Sequence, residues 1–505
     1  MIMKVCPGLL VVLSMLLAAF STPTSAAATT CTHYVATTGN DANPGTLSAP
    51  WKTIQKAANT AVPGDVVCVR GGIYKEVVVI NVSGSADGGT ITFKSYPGET
   101  AILDGKSLKV PSGWGPMILI QNKSYITIQG FEIRNYKSAA KAHSPIGIFV
   151  TGYDDHIQLV NNVIHDMGTT FNGKNGGDAH GIAVYGTDAP NSIHNVVIEG
   201  NQLYNLKLGS SESLVVNGNV DGFTITNNIV HDNNNIGIDV IGFEGKSPDP
   251  TLDQARNGKV IGNTVNNINS YGNPAYGKER SADGIYVDGG RDTLIERNIV
   301  HHTNLGIELA SEHAGRATSN ITVRNNFVYS NTQVGIAIGG YDEQRGSTEN
   351  CVIVNNTFYN NYTQADWGAE LYVQFDTRNN IIENNIFFAT SNRRFIESWS
   401  EVMTNNVVDY NLYFATGSGT NGTWIWKNIT YSTFAAYQSA TGNDADGLAG
   451  VDPLLVNLTT PDLHLQPTSS AIDRGQNMTQ SGTVDIDGQV RIQGAAIDLG
   501  ADEVR

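Results

Sequence analysis

Apolar residues alternate with polar ones in short runs along most of this chain, and the runs repeat. "IQLVNNVIHD", "VVIEGNQLYN", "FTITNNIVHD", "TLIERNIVHH", "ITVRNNFVYS", "CVIVNNTFYN", "NIIENNIFFA" and "NVVDYNLYFA" each place apolar residues at every second position, then an asparagine, then more apolar residues. A period of two predicts strands, not helices. A second motif recurs in step with the first as "GIFVTG", "GIAVYG", "GIDVIG", "DGIYVDGG", "GIELAS" and "GIAIGG". The shortest interval between successive strands is about 22–23 residues, too few for a unit to bury its own apolar face, so the units must stack. The pattern predicts a solenoid whose parallel strands lie about 4.8 Å apart with Ile and Val pointing inward.

The shared asparagine falls at Asn162, Asn201, Asn228, Asn263, Asn298, Asn326, Asn356, Asn385 and Asn411. Asparagine tolerates left-handed backbone and can hydrogen-bond its own kind one coil away, so a ladder of Asn at a tight corner is expected. Alternation this persistent excludes an Asn-rich disordered tract.

The asparagine ladder and the coil length over residues 60–415 resemble the right-handed parallel β-helix of the pectate-lyase-like superfamily. Ahead of them, "HYVATTGNDANPGTLSAPWKTIQKAANTAVPGDVVCVRGGIY" resembles the amino-terminal cap of secreted β-helix proteins that include the family 9 pectate lyases. Within it, "TIQKAANTA" can form a short helix with Ile54, Ala57 and Ala61 on the face that closes the stack. "PDLHLQPTSSAIDRG" and "DIDGQVRIQGAAIDLGADE" resemble a closing segment of such proteins. The expected fold is all-β, a single-stranded right-handed parallel β-helix with a short capping helix. Its expected layout is a signal peptide over 1–27, a cap over 28–60, the β-helix over 61–415, and further coils with the closing segment over 416–505. "GTNGTWIWKN" is open between a further coil and a loop packed on the side.

The first residues read as a secretory signal, with Lys4 ahead of the apolar "GLLVVLSMLLAAF" and small residues near Ala26 and Ala27. That apolar run is too short to span a bilayer and nothing later resembles a span, so an exported, soluble and monomeric protein is expected. Cys6 leaves with the signal; Cys31 and Cys68 lie in short strand-like runs near the amino end and are expected to pair, leaving Cys351 inward in "CVIVNN". The formal net charge of −16 opposes nucleic acid, and it repels a polyanion unless cations or basic loops intervene. No Cys/His spacing suggests zinc, and no metal ligands are assigned.

Lining up the "GI" strands puts Phe149, Ala183, Val215, Asp239, Tyr286, Glu308, Ala337 and Tyr372 in one outward column. Thr151, Tyr185, Asn217, Ile241, Asp288, Ala310, Gly339 and Gln374 form a second. Only 15% of residues are charged, yet acids gather in the middle coils, and Asp283 and Asp288 both stand among the outward positions of "DGIYVDGG". Long insertions flank the same coils, "MGTTFNGKNGGDAH" and "NSYGNPAYGKERSA" before the strand, "FEGKSPDPTLDQARNG", "SEHAGRATS" and "YDEQRGSTE" after it. Loops on both sides of a strand column predict a groove with that column as its floor.

Asp239, Asp288 and Glu308 are the candidate catalytic carboxylates. Asp239 and Glu308 stand two coils apart, about 9.6 Å between backbones, with Asp288 roughly 8 Å from either. Inverting glycosidases separate acid and base by about 6.5–9.5 Å, retaining ones by about 5–5.5 Å, so the spacing points to inversion. His180, Asp283, Tyr286, Arg291, Glu312, His313 and Trp367 are candidate substrate-binding residues, with Tyr271, Tyr276 and Tyr341 as further walls. The primary expectation is a polysaccharide-degrading glycoside hydrolase that requires no cofactor. One alternative is a polysaccharide lyase using Ca²⁺, the chemistry the resemblance to family 9 lyases implies through a lysine base and an Asp-rich calcium site. Neither floor column contains Lys or Arg, and Lys174, Lys278, Arg280 and Arg316 are loop candidates only. The other alternative is a non-catalytic carbohydrate-binding or surface-adhesion solenoid.

Overall fold

The computed structural model describes residues 30–504 apart from 175, 365, 391–392 and 418–420. The expected signal segment lies outside them. Each coil carries three short strands, as in Asp283–Asp288, Arg291–Glu296 and Ile299–His301, followed by Leu305–Ala310, Ala317–Arg324 and Phe327–Tyr329. Equivalent strands of successive coils pair in parallel, giving three sheets that run the length of the solenoid; they are called sheets 1, 2 and 3 in that order. The register aligns Tyr286 with Glu308, Leu294 with Thr322 and Val300 with Val328. Ile285, Val287, Ile295, Val300, Ile307 and Leu309 all point inward and are fully buried in one continuous core. Among the described residues no helix is long and apolar enough to cross a membrane.

The corner between sheets 2 and 3 is held by the asparagine ladder. Asn263 shows the pattern: its backbone N–H and Nδ2 donate to Asn298 Oδ1 at 2.9 and 3.0 Å, and Nδ2 also donates to the Ile225 carbonyl at 2.9 Å. Its own Oδ1 accepts from the N–H and Nδ2 of Asn228. The chain of bonds runs from Asn162 to Asn411 and ends on Asp444, whose Oδ1 accepts from Asn411. An aspartate fits only at that end, where no further acceptor needs a donor; its Oδ2 accepts from Tyr413 Oη at 2.8 Å. One detail differs from the sequence expectation. The left-handed backbone belongs to the residue before each ladder asparagine, such as Asn161, Asn227, Arg297, Asn325 and Asn355, because the ladder side chain must point into the core while the chain turns just ahead of it.

The glycine of each "GI" motif has a steric origin. A Cβ on Gly284 would lie 2.4 Å from Val300 Cγ1 and 2.8 Å from the Gly306 carbonyl, and one on Gly306 would lie 2.4 Å from both Val328 Cγ1 and the Gly335 carbonyl. Glycine therefore lets the chain press against sheet 3 at the entrance to sheet 1. It also breaks the strict alternation, so that Asp283, which would otherwise share the inward parity of Ile285 and Val287, turns outward beside Glu308.

Both ends are closed. The helix Ile54–Ala58 is capped by Thr53, whose side chain accepts from the Lys56 N–H, and Ile54, Ala57 and Ala61 are buried against the first coil. Cys31 and Cys68 form a disulfide and Cys351 is a buried free thiol. Within the "GTNGTWIWKN" stretch, Asn421–Trp426 is the last parallel strand of sheet 1 and stacks on Arg394–Glu397, and Ile429–Thr433 turns back antiparallel to it. The helix Phe434–Thr441 then covers that end, burying Phe434 and Tyr437 near Trp424. The closing segment returns outside sheet 3, where Leu463, Leu465 and Leu499 pack with Phe327, Tyr359 and Phe388.

Replacing Asn263 by Ala strands the Asn228 N–H and the Ile225 carbonyl in the core. At about 1–3 kcal/mol per buried unsatisfied group, the expected loss is about 2–6 kcal/mol in denaturant unfolding. Asn227→Gly, at an exposed left-handed position, is expected to shift stability by no more than about 0.5 kcal/mol.

Candidate functional site

Sheet 1 carries the acids. Its register pairs Val215 with Asp239, Asp239 with Tyr286, Tyr286 with Glu308, Glu308 with Ala337, and Ala337 with Tyr372, so Asp239 and Glu308 share one column two coils apart. Asp288 pairs with Ala310 in the neighbouring column. Asp283 belongs to a third column, one residue ahead of the glycine, where it aligns with Leu305 and Val334. Glu212, two positions ahead of Leu214 as Asp283 is two ahead of Ile285, joins the same face.

The floor is far more enclosed than an open trench. Relative exposure is 2% for Asp239 and Asp283, 5% for Asp288 and 8% for Glu308. The reason is that the loop after the Asp239 strand folds back on the sheet: Ile241 bridges Gly289, Gly242 bridges Gln254, and Gln254 Nε2 donates to the Gly289 carbonyl at 2.7 Å. On the other side Tyr276, from the insertion ahead of Asp283, accepts from Asn235 Nδ2 at 3.3 Å.

The four carboxyl groups differ in what they are given. Asp239 has no hydrogen-bond donor among the described residues; its Oδ1 is buried and unpartnered, as are Asp283 Oδ1, Asn217 Oδ1 and Asn235 Oδ1 on this face. Burial, and then the charges of Glu212, Asp288 and Asp283, hold Asp239 well above the usual carboxylate range. Asp283 is raised likewise, by burial and by its contact with Glu308. Glu308 is pushed by burial up to about 7, and it is restrained there by hydrogen bonds from Gln374 Nε2, at 2.7 Å, and from the Asp283 carboxyl. Asp288 is raised by burial and by Glu312, although the Glu312 N–H donates to its Oδ1 at 2.7 Å.

Several expected residues lie elsewhere or are occupied. His180 is buried between Tyr185 Oη, 3.1 Å from Nε2, and the Glu212 carbonyl, 3.1 Å from Nδ1, and burial lowers it to about 4, so it is a neutral packing residue and not a free sugar ligand. Arg291 belongs to sheet 2, where it pairs in register with Arg256 and forms an ion pair with Asp292; it follows Gly289 and Gly290, where the chain has already turned away from the floor. Tyr286 packs with Ile236 and Ala310 and offers no open ring face.

Glu312 and His313 stand at the mouth, lining a cavity of about 450 Å³ with Phe243, Arg316 and Arg345; Arg316 lies over the Phe243 ring. Trp367 lies beyond Glu308, against Tyr372, and lines a smaller cavity with Lys278 and Arg280. Tyr271 and Tyr341 are exposed and stacked under Arg280 and Arg345, and Lys174 is exposed on its loop.

Glu212 and Gln374 are the participants missed as such by the sequence reading. Gln374 stood in the second column but carried no charge to single it out. Glu212 becomes visible once the residue preceding each glycine, or the equivalent Ser213, is read as a third outward column.

No three carboxylate or imidazole ligand atoms converge within 4.8 Å on this floor among the described residues. Among the described residues, the His, Cys, Asp and Glu atoms that converge within 4.8 Å in a group of three belong to His464, Asp487 and Asp502 in the closing segment. The sheet 1 acids are spread over several coils and do not form the closed oxygen cage that calcium takes.

Raised acids make stability depend on pH in a defined direction. Asp239 and Glu308 bind protons more tightly folded than unfolded, so their contribution is complete below about pH 4, the unfolded carboxylate range, and is lost as pH rises, through about 7 for Glu308. Asp239→Asn is therefore expected to raise the melting temperature at pH 8 and to change it little at pH 4, measured by calorimetry across that range.

Residues 33–224 match the family described as a Pel9A-like, right-handed β-helix region, and residues 175–347 and 252–436 match that described as a right-handed β-helix region. The chain is 41% identical over 439 residues to the uncharacterized protein YwoF of Bacillus subtilis, covering 87% of this chain and 91% of the other. It is 29% identical over 119 residues to pectate lyase PEL9 of Emericella nidulans, covering 23% and 29%. Among solved structures, the GH136 lacto-N-biosidase of Eubacterium ramulus superimposes with a TM-score of 0.51 at 16% identity, over 75% of this chain and 67% of that one. With its three parallel sheets, its asparagine corner and these matches, the chain belongs to the right-handed parallel β-helix proteins of the pectate-lyase-like superfamily.

Proposed function

We propose that the protein is a carbohydrate-active enzyme, and specifically an inverting glycoside hydrolase. One observation carries the reading: Asp239 and Glu308 share a column two coils apart but have opposite surroundings, the first without a donor and the second with two. A carboxyl that cannot be stabilised as an anion stays protonated and serves as a general acid; one that accepts hydrogen bonds is the better base. Their backbone separation of about 9.6 Å is close to the upper limit of about 9.5 Å between carboxyl groups in inverting enzymes and far from the about 5–5.5 Å of retaining ones.

In this mechanism Asp239 gives its proton to the glycosidic oxygen as the bond to the anomeric carbon breaks. Glu308 takes a proton from a water that attacks the same carbon from the opposite face, and the product emerges with inverted configuration. Asp283 holds a proton toward Glu308, and Gln374 fixes the base in place. The unpartnered acceptors Asn217 Oδ1 and Asn235 Oδ1 favour a ligand rich in hydroxyl donors. Asp288 and Glu308 retain the most exposure of the four and mark the side from which the sugar enters.

A calcium-assisted lyase is the second reading, favoured by the partial likeness to pectate lyase PEL9. It predicts ultraviolet absorbance from unsaturated products that disappears with chelator. The hydrolase predicts new reducing ends without absorbance, unaffected by chelator, on a panel of neutral and acidic polysaccharides. Asp239→Asn and Glu308→Gln are expected to lower turnover by about 10²–10⁴-fold with folding intact. For the wild-type chain, kcat is expected to rise as pH passes through about 7, where Glu308 ionises, and to fall at higher pH as Asp239 loses its proton. Unchanged turnover in both variants would remove this assignment.

A further inference from the structure

The closing segment carries a cluster that the chemistry on sheet 1 leaves unused. His464, Asp487 and Asp502 each bring one ligand atom within 4.8 Å of the others. They come from three places in the chain: the strand Asp462–Leu465, the turn closed by the bridge between Val484 and Val490, and the carboxyl-terminal residues. Backbone bonds hold the three together. The Ile486 N–H donates to the Ala501 carbonyl at 3.0 Å, and the Leu465 N–H donates to Asp502 Oδ2 at 2.7 Å. Within the turn, Asp485 Oδ1 accepts from the N–H of Asp487 at 3.0 Å and of Gln489 at 2.7 Å, which leaves Asp487 exposed at the edge of the cluster.

The imidazole is set up as a ligand. His464 Nδ1 is paired with Asp462 Oδ1, and a carboxylate on one ring nitrogen fixes the tautomer whose other nitrogen offers a lone pair to a metal. That other nitrogen, Nε2, is buried without a hydrogen-bond partner among the described residues, although Asp487 Oδ2 lies 3.2 Å away. Ligands on a tetrahedral ion with bonds of about 2.0–2.1 Å stand about 3.3 Å apart, so the two atoms already have the spacing of neighbours on one ion. Asp485 is fully buried, its Oδ2 also lacks a partner, and its charge acts on Asp502 together with that of Asp487. The charges do not cancel: Asp462, Asp485, Asp487 and Asp502 surround one histidine, and the buried Arg491 is matched by Glu503 at 3.8 Å while donating to the Ala501 carbonyl.

We propose that His464, Asp487 and Asp502 bind a divalent transition-metal ion of the zinc type, and that the ion clamps the closing segment onto sheet 3. One imidazole nitrogen with two carboxylate oxygens suits zinc, whereas calcium takes six to eight oxygens. The exposed Asp487 gives the ion a way in and leaves room for water as a fourth ligand. The cluster lies outside sheet 3 and takes no part in the reaction proposed at sheet 1.

The test strips the untagged full chain with chelator and titrates it calorimetrically with zinc chloride and, separately, calcium chloride. One zinc ion per chain, bound at least about tenfold more tightly than calcium, is the expected result. His464→Gln is expected to lower zinc affinity about tenfold or more, and Asp462→Asn, which keeps all three ligands, about tenfold. If His464→Gln loses its fold by circular dichroism, Asp487→Asn at the exposed position carries the same expectation. Zinc is also expected to slow hydrogen exchange in residues 462–465 and 485–502 and not in the strand Asp283–Asp288. Absence of stoichiometric zinc binding, calcium bound as tightly as zinc, affinity unchanged in the folded ligand variant, or protection that appears outside the closing segment would overturn the proposal.

Discussion

The register between stacked coils is the constraint on which the rest of this molecule depends. Strands alternate sides with a period of two, so a slip of one residue would send Asp239 and Glu308 into the core and Val240 and Leu309 into the groove. The asparagine ladder opposes such a slip at every coil, because each amide fits only when its neighbour above and below is also an asparagine in phase. It does so with groups that are fully hydrogen-bonded, and therefore at no desolvation penalty left uncompensated.

Buried acids recur in this protein, and their surroundings separate framework from chemistry. Asp444 ends the main ladder with donors on both oxygens, and Glu370 ends a shorter one through the N–H and Nδ2 of Asn361. Both are pushed up by burial, to about 7 and about 8, yet neither lacks a partner. Asp239 and Asp283 are equally buried and keep an oxygen with none. Asp154, Glu383 and Asp485 also keep an unpartnered oxygen away from the floor, so what separates the site is the gathering of Asp239 and Asp283 with other raised acids on one face, and such clusters are where proteins bind and react.

The long insertions have two faces with different tasks. Toward sheet 1 they narrow the access to the carboxyl groups; toward sheet 3 they enclose a wide cavity lined by Lys137, Lys207, Asp166 and Asp232.

Much of this was readable before any coordinates. Coil stacking, the inward Ile and Val, the asparagine corner and the alignment of Asp239, Tyr286 and Glu308 all follow from a local period and a regular spacing, and hydrogen-bonded strands have no other way to satisfy both. The enclosure of the floor, the occupation of His180 and Tyr286 by neighbours, the removal of Arg291 to sheet 2 and the partners of Glu308 were decided only by the tertiary structure. Each depends on where an aperiodic loop folds back or on how closely one backbone approaches another, as at Gly284 and Gly289. Such distances are set between residues far apart in the chain, and no repeat in the sequence encodes them.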